Sequence, residues 1–231
     1  MLKANLIAMS IATTSIAISM AVTAQTPSNF DIQGNGYLQT SDTDRGTGVS
    51  GGDPIVGLEL ISQFDSGLYG ILDNKSRQSS TNNAGLESRV AIGYGTDLSD
   101  ALSADANIAN TWLLGPGDNE DFTELTAGLT YSEPNWRLRG EAILNFEEPN
   151  NTLQGEWTYT PTFDWFGFLG GGYAAFSETR EDRAFASAGI GRRFETLDLS
   201  AAYHVSSVSE DELASSESDT DAFLLRLRAR F

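Results

Sequence analysis

The stretch Asp221-Ala222-Phe223-Leu224-Leu225-Arg226-Leu227-Arg228-Ala229-Arg230-Phe231 decides the fold class of this chain. Side chains alternate between the two faces of a strand, and taken alternately the stretch separates cleanly. Phe223, Leu225, Leu227, Ala229 and Phe231 fall on one face, and Leu224, Arg226, Arg228 and Arg230 on the other. A water-soluble core has no place for a row of inward guanidinium groups. A water-soluble surface has no use for five apolar side chains ending in phenylalanine. A strand with lipid on one side and a wet lumen on the other accommodates both.

Working back from this strand, the chain divides into segments of roughly 9–14 residues, about the length a tilted strand needs to cross a bilayer. Most carry a single apolar parity. Twelve are expected: 30–40, 55–64, 68–72 and a little beyond, 86–95, 102–112, 122–131, 136–146, 152–160, 165–176, 184–194, 197–205 and 221–231. The seventh is the clearest in the interior of the chain, setting Trp136, Leu138, Ala142, Leu144 and Phe146 against Arg137, Arg139, Glu141 and Asn145. The third is short, and the ninth has aromatics on both parities, so ten or fourteen strands stay open. Connections after even-numbered segments are short. Those after odd-numbered ones are mostly longer and polar, notably 41–53 and 207–221, as in barrels with short periplasmic turns and long outer loops. Aromatic residues cluster at both ends of the segments, as two interfacial girdles would require. The fold class is therefore all-β: a closed antiparallel transmembrane β-barrel of about twelve strands.

The first 24 residues are expected to be a cleaved signal peptide. Lys3 supplies the positive charge, Leu6 to Val22 an apolar run diluted by Ser and Thr, and Val22-Thr23-Ala24 the small residues before a cut after Ala24. Residues 25–231 then form one barrel domain. No later segment approaches the length of an apolar spanning helix, so membrane crossing by the mature chain requires a closed barrel. With 14 Lys and Arg against 32 Asp and Glu, the formal charge of −18 argues against a nucleic-acid partner. There is no cysteine, hence neither a disulfide nor a thiolate metal site.

Arg45-Gly46 in the first long connection, Asp53-Pro54 opening the second segment, Ser66-Gly67-Leu68-Tyr69 at the first short turn and the terminal strand ending in Phe231 give the chain a resemblance to the TorF-type porin family of small Gram-negative outer-membrane proteins, also called Gcw-type. The resemblance implies a barrel with a channel role and carries no catalytic residues. The Gly-Cys-Trp element of some members has no counterpart here. A C-terminal phenylalanine also resembles the signal that outer-membrane barrels present to the barrel-assembly machinery.

Folding the polar faces inward places Glu59, Glu87, Asp105, Glu124, Glu141 and Glu156 in one lumen with Arg89, Arg137, Arg139, Arg226, Arg228 and Arg230. Such charges either form a constriction that selects solutes or pair with one another and fill the barrel. The expected function is a porin-like channel for passive diffusion of small polar or charged solutes, with Arg226, Arg228, Arg137 and Arg139 forming a local positive wall. The alternative is a closed barrel acting through its loops. The acidic runs Asp118-Asn119-Glu120-Asp121 and Glu210-Asp211-Glu212 suit a solvated surface, or divalent cations at the outer face. His204, the single histidine, is expected in the lumen, which speaks against a rim-facing hydrolase site and an enzymatic role. No cofactor is called for. The expected partners are outer-membrane lipid, lipopolysaccharide and the barrel-assembly machinery, with Gly170-Gly171-Gly172 relieving crowding inside a strand rather than cradling phosphate.

Overall fold

The computed structural model describes residues 30–40, 43–44, 47–48, 54–78, 84–115, 118–147, 151–176, 182–207 and 221–231. The signal segment, the Arg45-Gly46 pair and the acidic run 210–212 lie outside them. Fourteen strands are described: β1 (Phe30–Gln39), β2 (Thr43–Asp44), β3 (Thr47–Gly48), β4 (Ile55–Phe64), β5 (Leu68–Gln78), β6 (Ala84–Asp97), β7 (Leu102–Gly115), β8 (Asp118–Glu133), β9 (Trp136–Asn145), β10 (Asn151–Tyr159), β11 (Trp165–Ala175), β12 (Arg183–Arg193), β13 (Leu197–Ser206) and β14 (Asp221–Arg230). β2 and β3 make a small hairpin of their own. The other twelve pair antiparallel, each with its neighbour in sequence, and β1 closes the ring on β14.

The barrel is inside-out relative to a soluble protein. Its outward residues are apolar and exposed, among them Ile92 at 56%, Leu129 at 54%, Leu153 at 67% and Phe223 at 62%. The most buried side chains are largely polar: Asn35, Gln39, Asn107, Thr111, Glu124, Thr126, Thr152 and Arg183. Only lipid outside and a polar interior make this pattern favourable. At the end carrying the short turns, outward rings meet in pairs, with Phe30 and Phe64 at 4.8 Å and Tyr131 and Trp136 at 5.3 Å between centroids. Arg192, the one outward-facing Lys or Arg on the described strands, lies over Trp165 and Phe194 in the same girdle.

Inside, several strand glycines sit in register beneath an aromatic ring of the next strand. Tyr37 covers Gly57, Tyr69 covers Gly93, Phe168 covers Gly189, Phe166 covers Gly191 and Phe185 covers Gly172. A Cβ on any of these glycines would fall within the ring. The glycine lets the ring lie flat against the backbone, fixes its rotamer and allows the sheet to curve. This settles the ninth expected segment: in β11, Phe166 and Phe168 face inward, while Trp165, Leu169 and Tyr173 face lipid.

Two expectations need correction. Asp118-Asn119-Glu120-Asp121 is the start of β8, paired with the end of β7 from Gly115 opposite Asp118 to Trp112 opposite Asp121. The connection between them spans only residues 116–117. The third segment likewise continues to Gln78, with β5 paired to β6 along its whole length. The cause is common to both. Near the loop end, apolar alternation fades while backbone pairing continues, because a ladder needs N–H and C=O groups rather than apolar side chains.

Candidate functional lumen

The alternation carries every candidate lumen residue to the inner wall. Glu59 lies on β4, Arg89 on β6, Asp105 on β7, Arg137, Arg139 and Glu141 on β9, Glu156 on β10, His204 on β13, and Arg226, Arg228 and Arg230 on β14. Their registers are continuous: Glu141 stands opposite Gly128 and Gln154, and Asp105 also stands opposite Gly128. Gly128 leaves room for the Arg139 guanidinium to cross from β9 to β7.

Three of these six arginines are committed to carboxylates at close range. Arg139 Nη1 donates to Asp105 Oδ1 at 2.7 Å and its Nε to Glu141 Oε2 at 2.9 Å. Gln154 Nε2 donates to the other oxygen of Glu141 at 2.5 Å. Arg228 Nη2 reaches Glu59 at 3.2 Å, and Asn35 Nδ2 donates to the same carboxylate oxygen at 2.8 Å. Arg230 pairs with Asp198 at 3.2 Å, and its Nη2 also donates to the Phe194 carbonyl. Arg137 and Glu156 approach only to 3.8 Å, both about half exposed, so their pairing is heavily screened. The Arg226 guanidinium lies over the Tyr37 ring at 4.6 Å. Arg89 stands opposite Asp73. His204 stands opposite Ser187 of β12. The nearest inward acid of that hairpin, Asp198, lies six residues along β13.

The structure adds lumen residues that the short third segment hid. Asp73, Lys75 and Arg77 project inward from β5, with Lys75 Nζ 3.3 Å from Glu87. Tyr69 OH links two neighbours, donating to Asp105 Oδ2 at 3.4 Å while accepting from Asn107 Nδ2 at 3.2 Å. Inward parity in this stretch is odd-numbered, as in segments two and four, and extending it past Leu72 would have found all three charges.

A cavity of about 1460 Å³ follows the wall made by β1 and β4 to β10. At the turn end it is lined by Asp31, Asp65, Gly67 and Asp97, and towards the loop end by Arg77, Leu113 and Phe122. The strands β11 to β13 contribute no lining to it, and the inner face of β11 and β12 carries Phe166, Phe168 and Phe185 over their glycines. This cavity is therefore eccentric, hugging the side of the barrel made by β4 to β10.

No protein-family model matches this sequence, and no curated protein matches it as a relative. Solved structures do. The KdgM porin in complex with disordered oligogalacturonate is similar at a TM-score of 0.61 and 10% identity, over 87% of this chain and 98% of that one. LpxR from Salmonella typhimurium is similar at a TM-score of 0.54 and 7% identity, over 87% and 99%. At such identities the likeness speaks for architecture alone: the chain has the closed twelve-stranded β-barrel fold of outer-membrane proteins.

Proposed function

We propose that this protein is a narrow outer-membrane channel for passive diffusion of small polar or charged solutes. The observation that carries the reading is the cavity, which follows one wall from the short turns to the loop end and is lined by polar and charged side chains. A barrel used only as a scaffold gains nothing from keeping such a volume wet. Its architectural likeness to the KdgM porin supports the reading. Membership of the TorF-type porin family, export by cleavage after Ala24, insertion through the strand ending in Phe231, and contacts with outer-membrane lipid and lipopolysaccharide belong to the same proposal. No catalytic role is assigned.

A closed barrel acting through its loops is the second reading. What favours it is the aromatic facing of β11 and β12 and the pairing of Arg139, Arg228 and Arg230, which narrow the free section. Planar-bilayer recording on the refolded mature protein separates the two. Discrete single-channel steps are expected, and a silent bilayer containing correctly folded protein would overturn the channel.

A further inference from the structure

We infer that the permeant solutes are cations, with a primary ammonium as the best-matched polar group; this deepens the channel reading and rests on it. An arginine row suggests an anion path, but two of its three charges are paired: Arg228 with Glu59 and Arg230 with Asp198, while Arg226 lies over the face of Tyr37. The cavity runs along the other wall, where acid is in excess. Eight carboxylate side chains line it against five Lys and Arg.

Four of those five cations lie against acids, the fifth, Arg77, standing at the loop end: Arg139 is tied to Asp105 and Glu141, Lys75 to Glu87, and Arg137 leans on Glu156. Arg89 faces Asp73 across the β5–β6 ladder. The carboxylates recur along the whole path. Asp31, Asp65 and Asp97 stand at the turn end, Asp105 and Glu141 follow, then Asp73, and Glu87 and Glu124 lie towards the loop end. An acidic lining alone would decide little. The second observation is the unmet hydrogen-bonding capacity of the same wall.

Asn107 is 9% exposed and lines the cavity. Its amide donates to Tyr69, but its Oδ1 has no partner among the described residues, and neither has Asp73 Oδ1. Among the described residues that line the cavity, these two acceptors stand against one unpaired buried donor, Arg89 Nε, so the local balance favours a donor-bearing solute once the side chains turn towards it. The charged group of an anion has only further acceptors to offer these oxygens, whereas an ammonium carries three donors and the compensating charge. The acidic end concentrates cations locally, an effect that salt screens. The same lining repels oligomeric anions such as the uronate chains bound by the KdgM porin.

The test is the reversal potential of refolded full-length mature protein in a KCl gradient, together with vesicle uptake of ethanolamine against glycolate. Several-fold cation preference at low ionic strength, shrinking in concentrated salt, with ethanolamine entering faster, is the expected result. The isosteric rim variants Asp31→Asn and Asp97→Asn, which break no ion pair among the described residues, should lower that preference. Conductance with anion preference, or faster glycolate entry, overturns this inference and leaves the channel standing. Absence of conductance from folded protein overturns the channel itself, and this inference with it.

Discussion

Arg139 spans three strands, taking one carboxylate from β7 and another from its own strand β9, with its guanidinium lying over Gly128 of β8. Its side chain is 30% exposed, and Asp105 and Glu141 are more hidden still. Arg139→Gln leaves two half-buried carboxylates facing each other without a cation. The expected cost is about 1–3 kcal/mol of barrel stability, the range for charged hydrogen bonds left unmade. Urea titration of the protein refolded into phospholipid vesicles measures it. Adding Asp105→Asn should restore part of the loss, which a purely steric role for Arg139 would not allow. Gly67 is the other sensitive position. Its φ of 90° is open to glycine but strained for other residues, and a Cβ there would strike the Gly95 carbonyl oxygen. Gly67→Ala should therefore destabilise the β4–β5 turn by about 1–3 kcal/mol, whereas alanine at Gly140, where nothing stands within 4 Å, should be nearly neutral. Equal effects in the same titration would contradict the strain argument.

At the scale of strands and connections, two exposed carboxylates act as clasps. Asp182 accepts from Tyr173 OH at 2.6 Å and from the Phe176 backbone N–H at 2.9 Å, tying the end of β11 to the start of β12. These two bonds, the tyrosine's first, hold its carboxyl below the usual aspartate value. Glu147 accepts from the Thr123 N–H at 2.6 Å and is lowered for the same kind of reason. A depressed folded pKa means that the stabilisation is fully present above the unfolded value of about 3.9 for Asp and is lost as pH falls through the folded one. Hydrogen exchange at the Phe176 amide should thus show protection that disappears only below about pH 4. In Asp182→Asn that step should be absent, and an unchanged acid transition would remove the clasp. Much of this level was legible beforehand. Strand identity, strand order and inward parity followed from β4, β9 and β14, where lipid forces every second residue to be apolar. What escaped was what lipid does not dictate. Above the belt the pattern blurs, so β5 and β8 came out short. The ion pairs depend on registers such as Asp105–Gly128–Glu141 that no single strand contains. The glycine–aromatic pairs were hidden for the same reason, although Gly170-Gly171-Gly172 already hinted that a strand had to make room, and Gly172 lies under Phe185.

The molecule as a whole is a ring, and a ring opens at its weakest joint. That joint is the seam between β1 and β14. Its register covers only Asn35 opposite Arg230 to Gln39 opposite Arg226, five positions, whereas β7 and β8 stay paired from Leu102 opposite Tyr131 to Gly115 opposite Asp118. The seam is reinforced at its two ends. Gly34 N–H donates to Phe231 O at 2.8 Å and Phe231 N–H to Gly34 O at 2.9 Å, while the Phe231 ring covers Gly34 on the lipid face. At the other end Thr40 N–H donates to Leu225 O, and Leu225 N–H to Thr40 Oγ1, both at 3.0 Å. On the lumen side Arg228 reaches over β1 to Glu59 of β4 and so bolts three strands together. Among the ladders, the seam is also the one whose two strands are farthest apart in sequence, so its closure carries the largest loop entropy. Amide exchange in membranes should accordingly be fastest along 35–39 and 226–230 and slowest along β7 and β8. Gly34→Val, which evicts the Phe231 ring, and Arg228→Gln, which removes the lumen bolt, should each speed exchange at the seam several-fold and leave the β7–β8 amides unchanged. Uniform acceleration around the barrel would mean that the ring unfolds as one unit with no preferred opening, and the arginine row would then lose its structural role at closure.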